Sequence, residues 1–572
     1  MTRIYNCIIL LLLITGFSNC EKKLDLEDPS SISSKEVWND PTLANAYLMN
    51  IYNNLMPNMP VGTGSNSDES SPYIFVMADW LRGTATVNTW NYFDYGNVRS
   101  LNILLSSIDG GTIGAADKDV IKAQAHFWRA WVYYKMVQAY GGVPLVMDVQ
   151  DLSEGDALFK PRNKTSECIT QIIADLDSAI DKLPVSWSGT DAGRIDKEAA
   201  LAFKGRALLM YGSPLFNPGN DAARWQAAYD ANKAAVDACN AAGKGLHPDV
   251  NAMWYDNIVS NPEAIMYKQY KYPGNTYYVG GIRPTNYSFN NWSQDHASLE
   301  LVNAFPMKDG SAWNPATMNY DTLFRSRDAR FYATVAYNGS NMGLKDMVAA
   351  GANLWSWHGS SNIPEGSLFS ATSFYRQKAQ DKTLTKSTTY DATVPWMEIR
   401  YAEVYMNYGE AANEVGKPAE ALKVLYDIRA RAKILPGADM HYGITAASQA
   451  EIREAYLKER QVEFAFEDKR WTDLRRLRRF DILNNIKRRH GLYITIHPDQ
   501  LANFPGGNGP VKMEDINQIY NIFDYDVKEV DNQDMDVKDI YYFYPIPQSQ
   551  LDQNSKLQQN KGWNGGTFDP LL

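Results

Sequence analysis

The chain has 572 residues and a formal net charge of −10. That balance excludes a general nucleic-acid binder, because a phosphate backbone is held by a basic surface. With 45% hydrophobic and 21% charged residues the composition is that of a folded globular protein, and its four cysteines form no CxxC pair, which excludes zinc-ribbon and thioredoxin-like motifs.

The chain starts MTRIYNCIILLLLITGFSNCEKK. Arg3 supplies a positive start, and Ile8 to Ile14 is an apolar run too short to span a bilayer. Gly16 and Ser18 are small residues ahead of Cys20. This is the pattern of a secretory signal peptide over 1–19. Its ending on a cysteine resembles a bacterial lipoprotein signal, which implies lipidation at Cys20 and a polar tether over 20–36. No later segment is long and apolar enough to span a membrane.

Residues 37–250 read as helices. From Asp117 to Tyr140, one stripe holds Ile121, Ala125, Trp128, Val132, Met136 and Ala139, and a second holds Val120, Phe127, Tyr134 and Val137. A helix apolar on two faces is expected between neighbours. Gly141-Gly142 and then Pro144 stop it. A stripe from Ile169 to Leu183 is stopped by Pro184. Ala200, Phe203, Ala207 and Met210 make another, with Gly205 allowing close approach, and Trp225 to Cys239 make a third. Cys239 lies on its stripe and Cys168 borders one, so both thiols are expected buried and free.

Residues 251–395 read differently. They are rich in Gly, Asn, Ser, Tyr and Trp, as in YKYPGNTYYVGGIRPTNYSFNNW and NLWSWHGSSN, and have few periodic runs. A loop-rich aromatic lobe is expected, since ordered loops of this length are usually functional. Within residues 396–572, Gly409 and Ala421 lie twelve apart around a Gly416-Lys417-Pro418 turn. That is tetratricopeptide spacing, in which small residues let two helices touch.

FEDKRWTDLRRLRRF, Phe466 to Phe480, is basic, but acids precede it. Glu459, Glu463 and Glu467 come first and Arg470, Arg475, Arg476, Arg478 and Arg479 last. That order complements a helix dipole. With Phe464, Trp471 and Leu474 as a packing stripe, a structural helix is expected, with Glu467 paired to Arg470.

No GxSxG, HExxH, P-loop or GxGxxG occurs. Arg400, Glu403, Asn407 and Glu410 share a helix face, which reads as a hydrogen-bonded polar seam rather than a catalytic carboxylate pair. A sugar site needs less chemistry: aromatic rings for the C–H faces, and amide or charged groups for the hydroxyls. Three stretches qualify: Trp80 and Arg82 near Trp90; Tyr287, Asn290 and Trp292 with Arg283; and Trp355 and Trp357 with His358.

Four segments carry a family resemblance: AQAHFWRAWVYYKMVQAYGGVPLV from Ala123, MEIRYAEVYMNYGEAANEVG from Met397, KERQVEFAFEDKRWTDLRRL from Lys458 and YFYPIPQSQLDQNSKLQQNKGW from Tyr542. Together they resemble the SusD/RagB outer-membrane lipoproteins of Bacteroidota. The resemblance implies a mainly α, tetratricopeptide-like scaffold with a loop-rich ligand-binding lobe. It also implies a non-catalytic role without cofactor or metal: capture of oligosaccharides and delivery to a SusC-like TonB-dependent porin. The RagB branch keeps peptide binding open as an alternative. A lipoprotein hydrolase or a pure assembly scaffold is a more distant one.

Overall fold

The computed structural model describes residues 34–71, 77–288, 293–360, 372–503 and 520–572. Cys20, Asn290 and Trp292 lie outside the described residues, as does the leader.

Capping and apolar periodicity set the first half. Helix α1 (Pro41–Leu55) starts at Asp40, whose carboxylate accepts from the Thr42 amide at 2.7 Å. Helices α2 (Tyr95–Ser107), α3 (Ala115–Tyr140), α4 (Thr165–Lys182), α5 (Lys197–Gly212) and α6 (Ala222–Ala241) follow, each packed on the next. The expected two-faced burial of α3 is present: Phe127, Trp128, Met136 and Val137 are all fully buried. Gly141 ends it with φ 75°, and a side chain at Gly142 would strike the Asn163 carbonyl at 2.0 Å. Gly205 brings α5 onto α6, where the Asn232 amide donates to the Gly205 carbonyl at 3.0 Å.

Strands β1 (Ala264–Lys268) and β2 (Trp396–Arg400) pair antiparallel, with Lys268 opposite Trp396. They bracket most of the loop-rich region and return the chain to the scaffold. Helices α7 (Tyr401–Glu414) and α8 (Pro418–Arg431) form the expected tetratricopeptide pair, and α9 (Gln449–Glu463) lies across both. At Gly409 there is room for no more than hydrogen: an added Cβ would meet the Tyr456 hydroxyl at 1.9 Å.

The basic stretch is not one helix. Phe466 and Asp468 adopt left-handed backbone (φ 61° and 58°), then come α10 (Arg470–Arg476), a left-handed Arg478, and α11 (Phe480–Ile486). The turns separate groups that a straight helix would pair. Glu467 goes to Arg400 and Lys378, while Arg470 reaches Asp68 at 2.8 Å.

The loop-rich region has its own apolar centres. In one, Trp254 stacks on Trp396 at 5.4 Å. In another, Phe331, Trp355, Trp357 and Phe374 pack with Leu492, Ile494 and Phe523. The last three come from the antiparallel strands β3 (His490–Ile496) and β4 (Phe523–Glu529), so the lobe borrows a hairpin from beyond residue 395.

The largest core belongs to α1–α5 and is completed by residues 541–563. That segment crosses α3: the Tyr544 amide donates to Ala139 at 2.8 Å, and the Asn560 side chain donates to the carbonyls of Tyr140 and Tyr544. Cys168 and Cys239 are buried and free, as expected, and burial raises their thiol pKa values to about 11 and 12.

Candidate functional site

The polar seam on α7 is structural. Arg206 forks onto Glu403 (2.7 and 2.8 Å) and also meets Glu398 (2.8 Å). Arg460 donates to Asn407 at 2.8 Å, and Arg476 grips Glu410 with two bonds. Arg400 joins Glu263 at 2.5 Å, Glu463 at 2.7 Å and Glu467 at 2.8 Å. Burial opposes the charge on Glu403, but Arg206 and Lys469 outweigh it and hold its pKa at about 2. Likewise Arg431, Arg400 and Arg330 keep Glu463 well below its ordinary value against burial. Each carboxylate is locked to a guanidinium, which suits clamping helices together and not accepting a proton in turnover.

The three aromatic stretches have different fates. Trp80 is half-buried and stacks on Trp90 at 5.3 Å, and Trp90 lies flat on Tyr544 at 4.0 Å. The Trp80 indole N–H donates to the Asn66 carbonyl at 3.3 Å. Arg82 pairs with Asp79 at 2.5 Å and stays one-third exposed. Tyr92, 45% exposed, is the open end of this stack, 6.0 Å from Tyr544.

Tyr287 is buried among Met342, Met347 and Leu354. Arg283 is fully buried and donates to the Leu384 and Asp381 carbonyls. Trp355 and Trp357, only 1% and 4% exposed, do not offer faces to a ligand. They are core, because the β3–β4 hairpin covers them. Their neighbour His358 instead lies tilted against the partly exposed Tyr493, with ring centroids 4.0 Å apart.

The open aromatic surface begins with Tyr277 and Tyr278, the start of the second stretch, and extends to tyrosines outside all three, Tyr270, Tyr272 and Tyr390. Between Lys268 and Tyr278 the chain makes a tight turn closed by mutual backbone bonds of Lys271 and Asn275. Tyr270 packs on Tyr277 at 4.6 Å, and Tyr278 stacks on Tyr390 at 4.4 Å. Tyr272 and Tyr390 are 62% and 55% exposed. At Tyr270, Asn58 accepts from the Lys268 ammonium at 2.7 Å and from the Tyr270 hydroxyl at 3.3 Å. Backbone bonds between Tyr277 and Ala392, and from Val279 to Thr389, hold the two halves in register. Flat rings with an amide and an ammonium at their edge match the two needs of a sugar ring. The YKYPGNTYY run is a visible signal, but Tyr390 joins it only through that register.

The sequence model described as "SusD family" matches residues 256–563, and the one described as "Starch-binding associating with outer membrane" matches residues 21–209. The chain belongs to the SusD family. SusD-like protein P2 of Formosa agariphila is 26% identical over 368 residues, covering 63% of this chain and 65% of that one. The chain thus spans just under two thirds of that relative's length. SusD-like protein P38 of the same organism is 21% identical and covers 82% and 90%. A SusD-like protein from Bacteroides fragilis has the same fold, with a TM-score of 0.75, 24% identity and coverage of 93% and 99%. A laminarin-binding SusD-like protein aligns with a TM-score of 0.57, 20% identity and coverage of 92% and 100%. The expected mainly α, tetratricopeptide-like architecture is the one observed. Among the described residues, no helix is long and apolar enough to cross a membrane.

Proposed function

We propose that this chain is a non-catalytic, outer-membrane glycan-binding lipoprotein that captures oligosaccharides and passes them to a SusC-like TonB-dependent porin. The observation that carries the reading is the exposed tyrosine surface around Tyr278 and Tyr390, on loops anchored to a rigid SusD-family scaffold. Family membership and the laminarin-binding relative support a laminarin-like or starch-like ligand class. The locked carboxylates of the α7 seam support a role without turnover. In this reading residues 1–19 are removed, Cys20 carries the lipid, and residues 20–36 are the leash.

Tyr390→Ala is expected to weaken glycan binding about tenfold to a hundredfold, the 1–3 kcal/mol of a stacked aromatic by analogy with base stacking. Calorimetric titration against a panel of laminarin, starch and other oligosaccharides measures this, and melting temperature should not change. Trp355→Ala makes the contrast. It should cost about 3–5 kcal/mol of stability, as for any buried indole, and leave affinity intact. Undiminished affinity in Tyr390→Ala would move the site elsewhere.

The anchor has its own test. Cys20→Ala should release the protein from the membrane fraction, because no other apolar anchor is assigned to it. A variant that stays in the pellet after a high-salt wash contradicts lipid tethering.

A further inference from the structure

A cleft of about 290 Å³ opens between the end of α1, the flank of α3 and the turn joining α9 to α10. Its walls combine apolar surface from Leu55, Trp131 and Met210 with a dense set of charged groups. Almost all of those charges are spent within the protein. Arg206 and Lys469 hold Glu398 and Glu403, Arg460 and Arg476 share Asp473, and Glu467 belongs to Arg400 and Lys378. Two are not. Among the described residues, Lys135 and Asp468 form no ion pair, and both are exposed to the opening. Burial opposes the charge on both, each charge favours the other, and the Thr63 side chain hydrogen-bonds to the Asp468 carboxylate.

A second, independent feature singles out Asp468. Its backbone is left-handed (φ 58°), a conformation that glycine adopts without strain and aspartate only at a small cost. A carboxylate is held at a position where the backbone alone would favour glycine. Such strain gathers where a side chain has a task.

We infer that this cleft binds a small zwitterion of the amino-acid type, its ammonium on Asp468 and its carboxylate on Lys135. One free charge of each sign selects a ligand bearing both, since an anion would meet Asp468 and a cation Lys135. At about 290 Å³ the cleft has ample room for a molecule of amino-acid size. Asn58 stands at the rim and also touches Lys268 and Tyr270, so the cleft opens beside the tyrosine surface, but the inference does not rest on that surface binding sugar.

Titration calorimetry of the full mature chain with glycine, β-alanine and γ-aminobutyrate tests it, the three differing in charge separation. Saturable binding of at least one is expected, with each of Lys135→Gln and Asp468→Asn weakening it tenfold or more. Neither variant should alter oligosaccharide affinity. Asp468→Gly should lose binding while melting at or above the parent temperature, since it relieves the left-handed strain. Failure of all three zwitterions to bind overturns the inference. So does equal binding of neutral N-acetylalanine amide or of glucuronate, and so does undiminished affinity in the Lys135 and Asp468 variants. A lower melting temperature in Asp468→Gly would mean that the carboxylate serves the turn itself, and would also overturn it.

Discussion

Arg400→Met is expected to destabilise the protein by about 3–5 kcal/mol, the usual cost of leaving buried charges unpaired. Arg400 is 1% exposed and bonds three carboxylates from three segments: Glu263, Glu463 and Glu467. Glu463 would retain Arg330 and Arg431, Glu467 would retain Lys378 and Glu263 would retain Arg431, but the point where β2, α9 and the start of β1 converge would lose the one group that bridges all three carboxylates. Arg400→Lys should fall between, because an ammonium keeps the charge but lacks the planar five-donor fork of a guanidinium. Denaturant melts measure both, and a loss below about 1 kcal/mol for Arg400→Met, the scale of an exposed pair, would show that the network contributes little.

The buried carboxylates of this network and of the neighbouring Arg206 cluster set the acid response. A carboxylate whose folded pKa lies below its unfolded value stabilises the fold above the unfolded value, and that contribution disappears as pH falls through the folded one. For Glu403 the window runs from the ordinary 4.5 down to about 2. Glu463, also depressed, adds to the loss in the same direction. Without Arg400 the folded pKa of Glu463 rises, so acid unfolding of Arg400→Met should begin at a higher pH than in the parent.

Gly409→Ala should cost about 1–3 kcal/mol, the range for overpacking a close-packed core. The new methyl would lie 1.9 Å from the Tyr456 hydroxyl and 2.9 Å from Val424, on two of the helices that α7 touches. Tyr456 cannot swing aside freely, because its hydroxyl donates to the Ala421 carbonyl at 2.7 Å. Adding Tyr456→Phe removes the obstructing oxygen. The double variant should therefore be less unstable than the two single losses summed, a coupling that a double-mutant cycle measures. Simple additivity would mean that the helices move apart instead.

Helices written in apolar stripes are legible from the order of residues. The two-faced α3, its Gly141 stop and the Gly409–Ala421 approach depend on neighbours within a few turns. The polar seam is legible as a type, because Arg400, Glu403, Asn407 and Glu410 share a face. Its partners are not, since Glu263 and Glu467 lie far from Arg400 in sequence. The break after Glu463 is hidden because no glycine or proline marks it, although Phe466 and Asp468 both adopt left-handed backbone there. Trp355 and Trp357 sit in a Gly- and Ser-rich run that resembles exposed loop. What buries them is a hairpin well over a hundred residues further along.

The crossing of α3 by residues 541–563 fixes an order of events. The largest core contains Trp38 and Leu48 as well as Tyr541, Ile546 and Trp563. Emerging in one direction, the polypeptide cannot finish that core until nearly everything else has been made, and contacts of such long range close slowly. Throughout synthesis the early helices therefore lack part of their cover and remain open to unravelling. The scaffold tightens only when its last segment has been added.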